Sequence, residues 1–89
     1  MIFKLDISSE ASKALSRLDR PTKKRMTQRF EELCQDPFDP RLSSPLTNAG
    51  GLRKSRIGGW RIIFSVDHGR LVVFVVAVDR RGQVYQRMQ

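Results

Sequence analysis

Residues 52–64 read LRKSRIGGWRIIF, and the rest of the chain is best interpreted outward from this segment. Cationic and apolar residues alternate on both sides of the glycine pair Gly58 and Gly59. Alternation with a period of two is typical of strands, and both glycines accept the positive φ that a two-residue hairpin turn requires. The segment therefore predicts a β-hairpin with a row of positive groups on one face.

The rest of the second half continues this strand pattern. A second turn, at residues 67–69, leads into residues 71–78, LVVFVVAV, which are apolar at every position. A strand that is apolar on both faces is expected in the interior of a sheet. Arg80, Arg81 and Tyr85 follow it, so two more cations and a phenol come at the end of the predicted sheet.

The first half is predicted to form one strand followed by two helices. Residues 2–7 alternate and indicate a short strand. Ser8 or Ser9 can cap a helix that runs to about Leu18. Pro21 suits the first position of a second helix, because its missing N–H would be unpaired there in any case.

The second helix is amphipathic and must end before Pro37. Its inward positions are Met26, Phe30, Leu33 and Cys34. Its outward positions are Lys23, Lys24, Arg25 and Arg29. Residues 36–51 are rich in proline and glycine and predict a long loop, which is either functional or only the connection to the sheet. The element order predicts an α+β fold, a single domain over residues 1–89 with helices on one face of an antiparallel sheet.

Composition indicates a small basic domain whose charge fits a phosphate-rich partner, an acidic partner or only a solvated cationic surface. The 89 residues carry a net charge of +8; the first 50 hold nine Lys/Arg against seven Asp/Glu, and the remainder hold eight against two. Such a concentration of charge on one part of the chain attracts polyanions. Cys34 is the only cysteine, which excludes an internal disulfide and makes a thiolate zinc site implausible.

Neither a signal peptide nor a membrane span is predicted. A charge follows Met1 within a few residues, and residues 71–78 form the longest apolar stretch, which is far too short to cross a bilayer. We expect a cytoplasmic protein that uses no cofactor and no metal.

The element order and these motifs together resemble the RelE/ParE superfamily of toxins from type II toxin–antitoxin systems, and more closely its RelE branch of messenger-RNA endoribonucleases. The resemblance covers nearly the whole chain, from the first strand to Val84 and Tyr85. It implies a small antiparallel sheet of four to five strands with a two-helix hairpin packed on one face, in the order β-α-α-β-β-β. It also implies cleavage of messenger RNA in the ribosomal A site.

The resemblance also implies a catalytic set. It consists of Lys54, Arg56, Arg61, Arg81 and Tyr85. Arg80 is a one-residue alternative to Arg81 in the site. The i, i+2 spacing of Lys54 and Arg56 places both on one face of a strand.

Three neighbouring residues are expected to contact RNA: Arg53, Arg80 and Trp60. By strand alternation, however, Arg53 should face away from the basic pair. Trp60 could stack on a base or pack beside the hairpin.

Metal-free RNA cleavage uses the ribose 2′-OH as the nucleophile, and the protein must move protons and stabilise the phosphorane. Nearby cations would lower the pKa of Tyr85 by favouring phenolate, so Tyr85 or Lys54 is the expected general base. Arg81 would stabilise the phosphorane and could protonate the leaving oxygen, while Arg56 and Arg61 clamp the phosphate. Each residue also has a structural alternative, such as packing of Tyr85 at the edge of the core.

Two other functions stay open at this point. A ParE-like toxin would bind and inhibit DNA gyrase without nuclease chemistry, and a degenerate toxin would persist as a binding module. In all three cases we expect a cognate antitoxin that covers apolar surface and masks the basic face. Messenger RNA and the ribosome are the further expected partners of a nuclease, no membrane is involved, and any operator DNA would be contacted only through the antitoxin.

Overall fold

The computed structural model describes residues 2–80, so Arg81 and Tyr85 lie outside the described residues. The elements in chain order are β1 (Lys4–Ile7), α1 (Ser9–Ser16), α2 (Arg20–Gln35), β2 (Ser44–Pro45), β3 (Arg53–Ile57), β4 (Trp60–Asp67) and β5 (Val72–Arg80). The five strands form one sheet in the order β1-β5-β4-β3-β2. The predicted α+β class and the predicted element order are confirmed, and β5 lies in the interior of the sheet as expected.

One strand pair differs from the predicted antiparallel sheet. β1 is parallel to β5, with Lys4 opposite Val72 and Ile7 opposite Val75. The sheet is therefore mixed. Hydrophobic alternation specifies which side chains share a face but carries no information about strand direction. Two parallel strands also require a long connection between them. The helices and the other strands between β1 and β5 supply that connection.

Ser8 is the residue that caps α1. Its Oγ accepts a hydrogen bond from the Ala11 N–H at 3.0 Å and donates to the Val76 carbonyl at 2.7 Å. The same hydroxyl thus satisfies an unpaired donor at the helix start and ties the helix to β5. Asp19 is the residue before α2, and Pro21 occupies the first turn of that helix, where proline is tolerated.

The core lies between the two helices and one face of the sheet. From the helices it includes Ala11, Met26, Phe30, Leu33 and Cys34, and from the sheet Ile57, Ile62, Phe64, Val73, Val75 and Val78. The register shifts between Ile63 and Phe64: Ile63 lies opposite Ala77, but Phe64 lies opposite Val75, so Val76 is an extra residue in β5. This bulge keeps both Val75 and Val78 on the core face of the sheet. Because these side chains are buried against the helices, the alternate side chains of each strand lie on the opposite face of the sheet.

Residues 36–51 connect the helical layer to the sheet and also contain β2. Ser43 is buried, and its hydroxyl donates to the Pro37 carbonyl at 2.6 Å. The Phe38 ring stacks on His68, with ring centroids 5.0 Å apart. Residues 36–51 therefore pack against the sheet on the side of β3, with β2 paired to that strand.

Candidate functional site

The sheet face opposite the helices carries the predicted basic row. In the β3–β4 register Arg56 lies directly opposite Arg61, and Lys54 lies opposite Ile63. Residues opposite each other in an antiparallel pair point to the same face, with Cβ atoms about 4.5–5.5 Å apart. The structure thus brings Lys54, Arg56 and Arg61 together, and we call these three residues the basic row.

Arg61 has an unusual environment for an arginine. Only 4% of the residue is exposed, although Arg56 across the strand pair is exposed. On its other side Arg61 lies opposite Asp79 of β5. An adjacent carboxylate offsets part of the repulsion from Arg56. The central strand therefore holds one guanidinium in a protected position between a like charge and an opposite charge.

Arg29 of α2 holds the strand that carries the basic row. Its Nη1 donates to Ser55 Oγ at 2.7 Å and to the Arg56 carbonyl at 2.9 Å, and Ser55 Oγ donates to the Leu42 carbonyl at 2.7 Å. The prediction that Arg29 faces solvent is wrong. Arg29 lies three residues after the buried Met26, on the inward side of α2, where a long side chain can reach the sheet.

Arg53 lies on the helix side of the sheet, as strand alternation predicts. Its Nε and Nη2 donate to Ser43 Oγ at 3.1 and 3.0 Å, and its guanidinium carbon lies 4.9 Å from the centroid of the Phe38 ring. These contacts tie Arg53 to residues 36–51. The expected RNA contact of Arg53 therefore has no support from its position, because the side chain does not join the basic row.

Trp60 and Arg80 form a second pair on the helix side. Trp60 lies opposite Arg80 in the register and packs against the core. The Arg80 guanidinium carbon lies 5.4 Å from the centroid of the Trp60 ring, within the range of a cation–π contact. Of the two alternatives for Trp60, the structure places it beside the hairpin, with Arg80 over the ring. The roles predicted for Arg81 and Tyr85 fall outside the described residues.

Two grooves flank the sheet at opposite edges. The first, which we call the polar groove, has a volume of about 380 Å³ and lies beside β2 and β3. It is lined by Arg29, Pro40, Arg41, Leu42, Ser43, Ser44, Lys54 and Arg56. Sequence reasoning missed this groove because α2 and residues 36–51 supply six of its eight lining residues, and no local pattern predicts that they meet.

The second groove has a volume of about 540 Å³ and lies between β1 and the two helices. Its apolar lining includes Leu5, Ile7, Leu15 and Phe30. A groove of this kind suits an apolar partner segment. Within residues 2–80, no group of three or more His, Cys, Asp or Glu side chains is arranged to hold a metal ion. No helix in that range is long and apolar enough to span a bilayer.

Comparisons with known proteins agree with this architecture. Residues 5–85 match the family model for the ParE toxin of type II toxin–antitoxin systems, parDE. No curated protein matches the chain.

Several solved structures share the fold. In the archaeal RelE–RelB complex from Pyrococcus horikoshii, the matching chain is 25% identical with a TM-score of 0.77, over 93% of this chain and 99% of that one. The RelBE2 toxin–antitoxin complex of Mycobacterium tuberculosis gives 22% identity and a TM-score of 0.79, over 91% and 100%. The isolated RelE toxin of E. coli gives 22% and 0.77, over 97% and 94%.

Proposed function

We propose that this chain, which belongs to the ParE toxin family of type II toxin–antitoxin systems within the RelE/ParE superfamily, inhibits translation as a metal-free endoribonuclease. Its substrate would be messenger RNA in the ribosomal A site. The observation that carries the proposal is the direct opposition of Arg56 and Arg61 on the outer face of the sheet, with Lys54 beside them.

Like charges directly opposite each other in a strand pair destabilise a sheet. A sheet selected for stability alone would place an acidic or neutral residue opposite Arg61 on β3 as well, as Asp79 already lies opposite it on β5. The observed arrangement becomes favourable when a polyanion lies across it, because a phosphate between two guanidinium groups accepts hydrogen bonds from both. The basic row therefore supplies two guanidinium groups on one sheet face, which is the charge that a phosphate clamp requires.

The proposed reaction needs no metal. The 2′-oxygen attacks the adjacent phosphorus, its proton passes to a general base, the bond from phosphorus to the 5′-oxygen breaks, and that oxygen is protonated. The products are a 2′,3′-cyclic phosphate and a free 5′-OH. In this scheme Arg56 and Arg61 bind the phosphate, and the protected position of Arg61 strengthens its effect on the negative phosphorane.

Two further assignments rest on the sequence, and a third, for Arg29, rests on its contacts in the structure. Tyr85 or Lys54 would be the general base, and Arg81, or Arg80 in its place, would stabilise the phosphorane and protonate the leaving oxygen. Arg29 would act through Arg56, since its hydrogen bond to the Arg56 carbonyl fixes the strand that presents the clamp. A site without histidine or glutamate would be slow on free RNA, so alignment of the substrate by the ribosome would supply much of the rate.

A cognate antitoxin is the proposed partner that neutralises the toxin in the cytoplasm. Two of the similar structures are complexes of a RelE toxin with its RelB antitoxin. The apolar groove between β1 and the helices offers surface to such a protein. The basic row offers a second area, on the opposite face of the sheet, that an acidic segment could cover.

A gyrase-binding function is the second candidate, because the matching family model is the one described for ParE. That function would use the basic row as a contact surface and would require no general base. The two candidates therefore differ in whether removal of a single phenolic oxygen matters.

The test is induction of wild type, Tyr85→Phe and Arg56→Gln under tight control, with 5′ ends mapped on a translated messenger RNA. Lys24→Gln, which removes one exposed charge from α2, is the matched control. We expect codon-spaced cuts for wild type and Lys24→Gln, and a loss of about 100-fold or more in both other variants. Loss of gyrase supercoiling without cuts, equal in wild type and Tyr85→Phe, would reject the nuclease in favour of the second candidate.

A further inference from the structure

We propose that the polar groove is a second phosphate-binding subsite, which holds the RNA backbone next to the linkage bound by the basic row. This inference rests on the proposed nuclease function, since it assigns the groove to the same RNA strand. Its ligand is a backbone phosphate of single-stranded RNA, and its cations outside the basic row are Arg29 and Arg41.

Continuity with the basic row is the first argument. Lys54 and Arg56 belong to the row and also line the groove. Within the sheet, strand β3 lies between β4 and β2. Ser44 of β2 is directly opposite Lys54 of β3. Neighbouring strands are about 4.8 Å apart, so a backbone that crosses the strands at Arg61 and Arg56 enters the groove within one or two strand spacings.

The lining groups are the second argument. Guanidinium groups bind phosphate oxygens in a planar fork, and serine hydroxyls can donate to the same oxygens. Arg29 is held in place by its bonds to Ser55 and to the Arg56 carbonyl, so little side-chain entropy is lost on binding. The apolar groove at the other sheet edge has Lys23 as the single cation of its lining, offset by Glu31, and its apolar residues suit a protein segment instead.

The carboxylates near the groove explain how its cations are stabilised in the absence of RNA. Arg41 Nη2 lies 2.8 Å from Asp39 Oδ2, and Arg29 Nε lies 3.4 Å from Glu32 Oε1. The hydrogen bond from Arg41 holds the pKa of Asp39 below its ordinary value, so this carboxylate stays ionised at neutral pH. Arg41 itself remains largely exposed, with 86% of its side chain accessible, and a phosphate can approach it.

The test measures binding of a fluorescent 2′-O-methyl RNA 12-mer by anisotropy over a range of NaCl concentrations. For single strands the slope of log K against log salt is about −0.7 for each phosphate neutralised. We expect Arg41→Gln to make this slope shallower by about 0.7 and to weaken binding about fivefold at 0.1 M salt. Lys24→Gln removes the same charge from the exposed side of α2 and is expected to leave the slope unchanged.

A gain-of-binding variant makes the test independent of any loss of folding. Asp39→Asn removes the charge that competes for Arg41 and keeps an Oδ1 acceptor for the Arg41 N–H, which bonds to Asp39 Oδ1 at 2.9 Å. We expect it to bind the oligonucleotide about two- to fivefold more tightly at 0.1 M salt. Thermal unfolding of each variant checks that the fold is intact.

Three results would overturn the subsite. Slopes that are equal in wild type, Arg41→Gln and Asp39→Asn, or equal losses in Arg41→Gln and Lys24→Gln, would indicate a general electrostatic field only. A glutamate-rich 12-residue peptide that competes with the RNA and binds more tightly would also overturn it, in favour of an acidic protein segment. Because 2′-O-methyl RNA cannot be cleaved, these results are separate from the nuclease test. Missing cuts would reject the nuclease, whereas equal slopes would reject the subsite.

Discussion

At the scale of single residues, Arg56 of β3 and Arg61 of β4 place two like charges directly opposite each other. Arg56→Gln removes one of two like charges in a direct cross-strand pair and leaves the backbone carbonyl that Arg29 uses. We expect this variant to unfold about 1–8 °C higher than wild type, since such a repulsion is worth about 0.2–1 kcal/mol. Thermal unfolding followed by circular dichroism measures the change.

Arg53→Gln is the matched control on the other face of the same strand. It loses two hydrogen bonds to Ser43 and the contact with the Phe38 ring. We expect a destabilisation of about 1–2 kcal/mol, so the two arginine variants should shift in opposite directions. An Arg56→Gln protein that is less stable than Arg53→Gln would contradict the strained-pair interpretation.

Cys34 illustrates a residue whose chemistry is suppressed by its position. It is fully buried in the core, and this burial raises the pKa of its thiol above the ordinary value. Less thiolate is therefore present at pH 8 in the folded protein than in the unfolded chain. We expect labelling by a thiol reagent such as DTNB to be at least about 100-fold slower in native buffer than in 6 M urea.

The sign of the pH dependence follows from the same pKa shift. The folded state binds the thiol proton more tightly than the unfolded state, so Cys34 favours folding below the ordinary thiol pKa. That contribution falls as pH rises through the ordinary value toward the raised one. Rapid labelling of the native protein at pH 8 would show instead that the apolar groove admits the reagent to the sulfur.

At the scale of elements, the β3–β4 hairpin sets the register that makes the basic row. Of its two turn residues, Gly58 has a positive φ of 56°, and Gly59 does not. Gly58→Ala places a side chain in the left-handed region and is expected to cost about 1–2 kcal/mol. Gly59→Ala, whose added Cβ would meet nothing within 4 Å, is the control and should be nearly neutral.

The hairpin also links stability to the site, because a disturbed turn would shift Arg56 relative to Arg61. RNA binding by Gly58→Ala, measured by anisotropy at a temperature where the variant is folded, should be weaker than binding by Gly59→Ala. Equal unfolding temperatures for the two variants would indicate that the turn tolerates an L-residue and that the positive φ is not required.

The accuracy of the sequence predictions varies with the range of the interactions involved. The hairpin, both helices and the shared face of Lys54 and Arg56 follow from local periodicity and turn residues, and these were predictable. The parallel pairing of β1 with β5 depends on strand direction, which no local pattern encodes. Arg29 was assigned to solvent by its charge, although its spacing from Met26 already placed it on the inward side of α2.

The polar groove was unpredictable for a related reason. Its walls come from α2, from residues 36–51 and from β3, and only the folded chain brings these three segments together. The two-residue strand β2 is too short to leave a periodic signal. A site assembled from distant segments can therefore be recognised only in the folded structure, whereas residues that share a face of one hairpin can be predicted from the sequence.

At the scale of the whole molecule, the sheet separates two kinds of surface. The basic row and the polar groove lie toward β3 and β2, and the apolar groove lies at the β1 edge. A domain of this size buries only a modest core, so its surface charge has a large effect on stability. A ligand at either surface would stabilise the fold by mass action.

The net charge of +8 should make the thermal stability of the protein depend on salt concentration. Among residues 2–80, the ion pairs Arg29–Glu32 and Arg41–Asp39 each join two residues close in sequence, so they neutralise charge only locally, and the excess positive charges repel one another. Salt shortens the range of that repulsion from about 30 Å at 0.01 M to about 8 Å at 0.15 M. We therefore expect the unfolding temperature to rise over this range, by on the order of 4–8 °C for each kcal/mol of repulsion removed.

The control for this prediction is a double variant, Lys54→Gln with Arg56→Gln, which lowers the net charge from +8 to +6. Its two removed charges lie on the same sheet face as Arg61. The variant should start at a higher unfolding temperature in low salt and gain less from added NaCl, so that the two curves converge at 0.15 M. Parallel curves would mean that the repulsion is spread over the whole surface, and a fall in unfolding temperature with salt would mean that attractive pairs dominate. Only convergence is consistent with a sheet whose strain lies in the basic row and is relieved when a polyanion binds there.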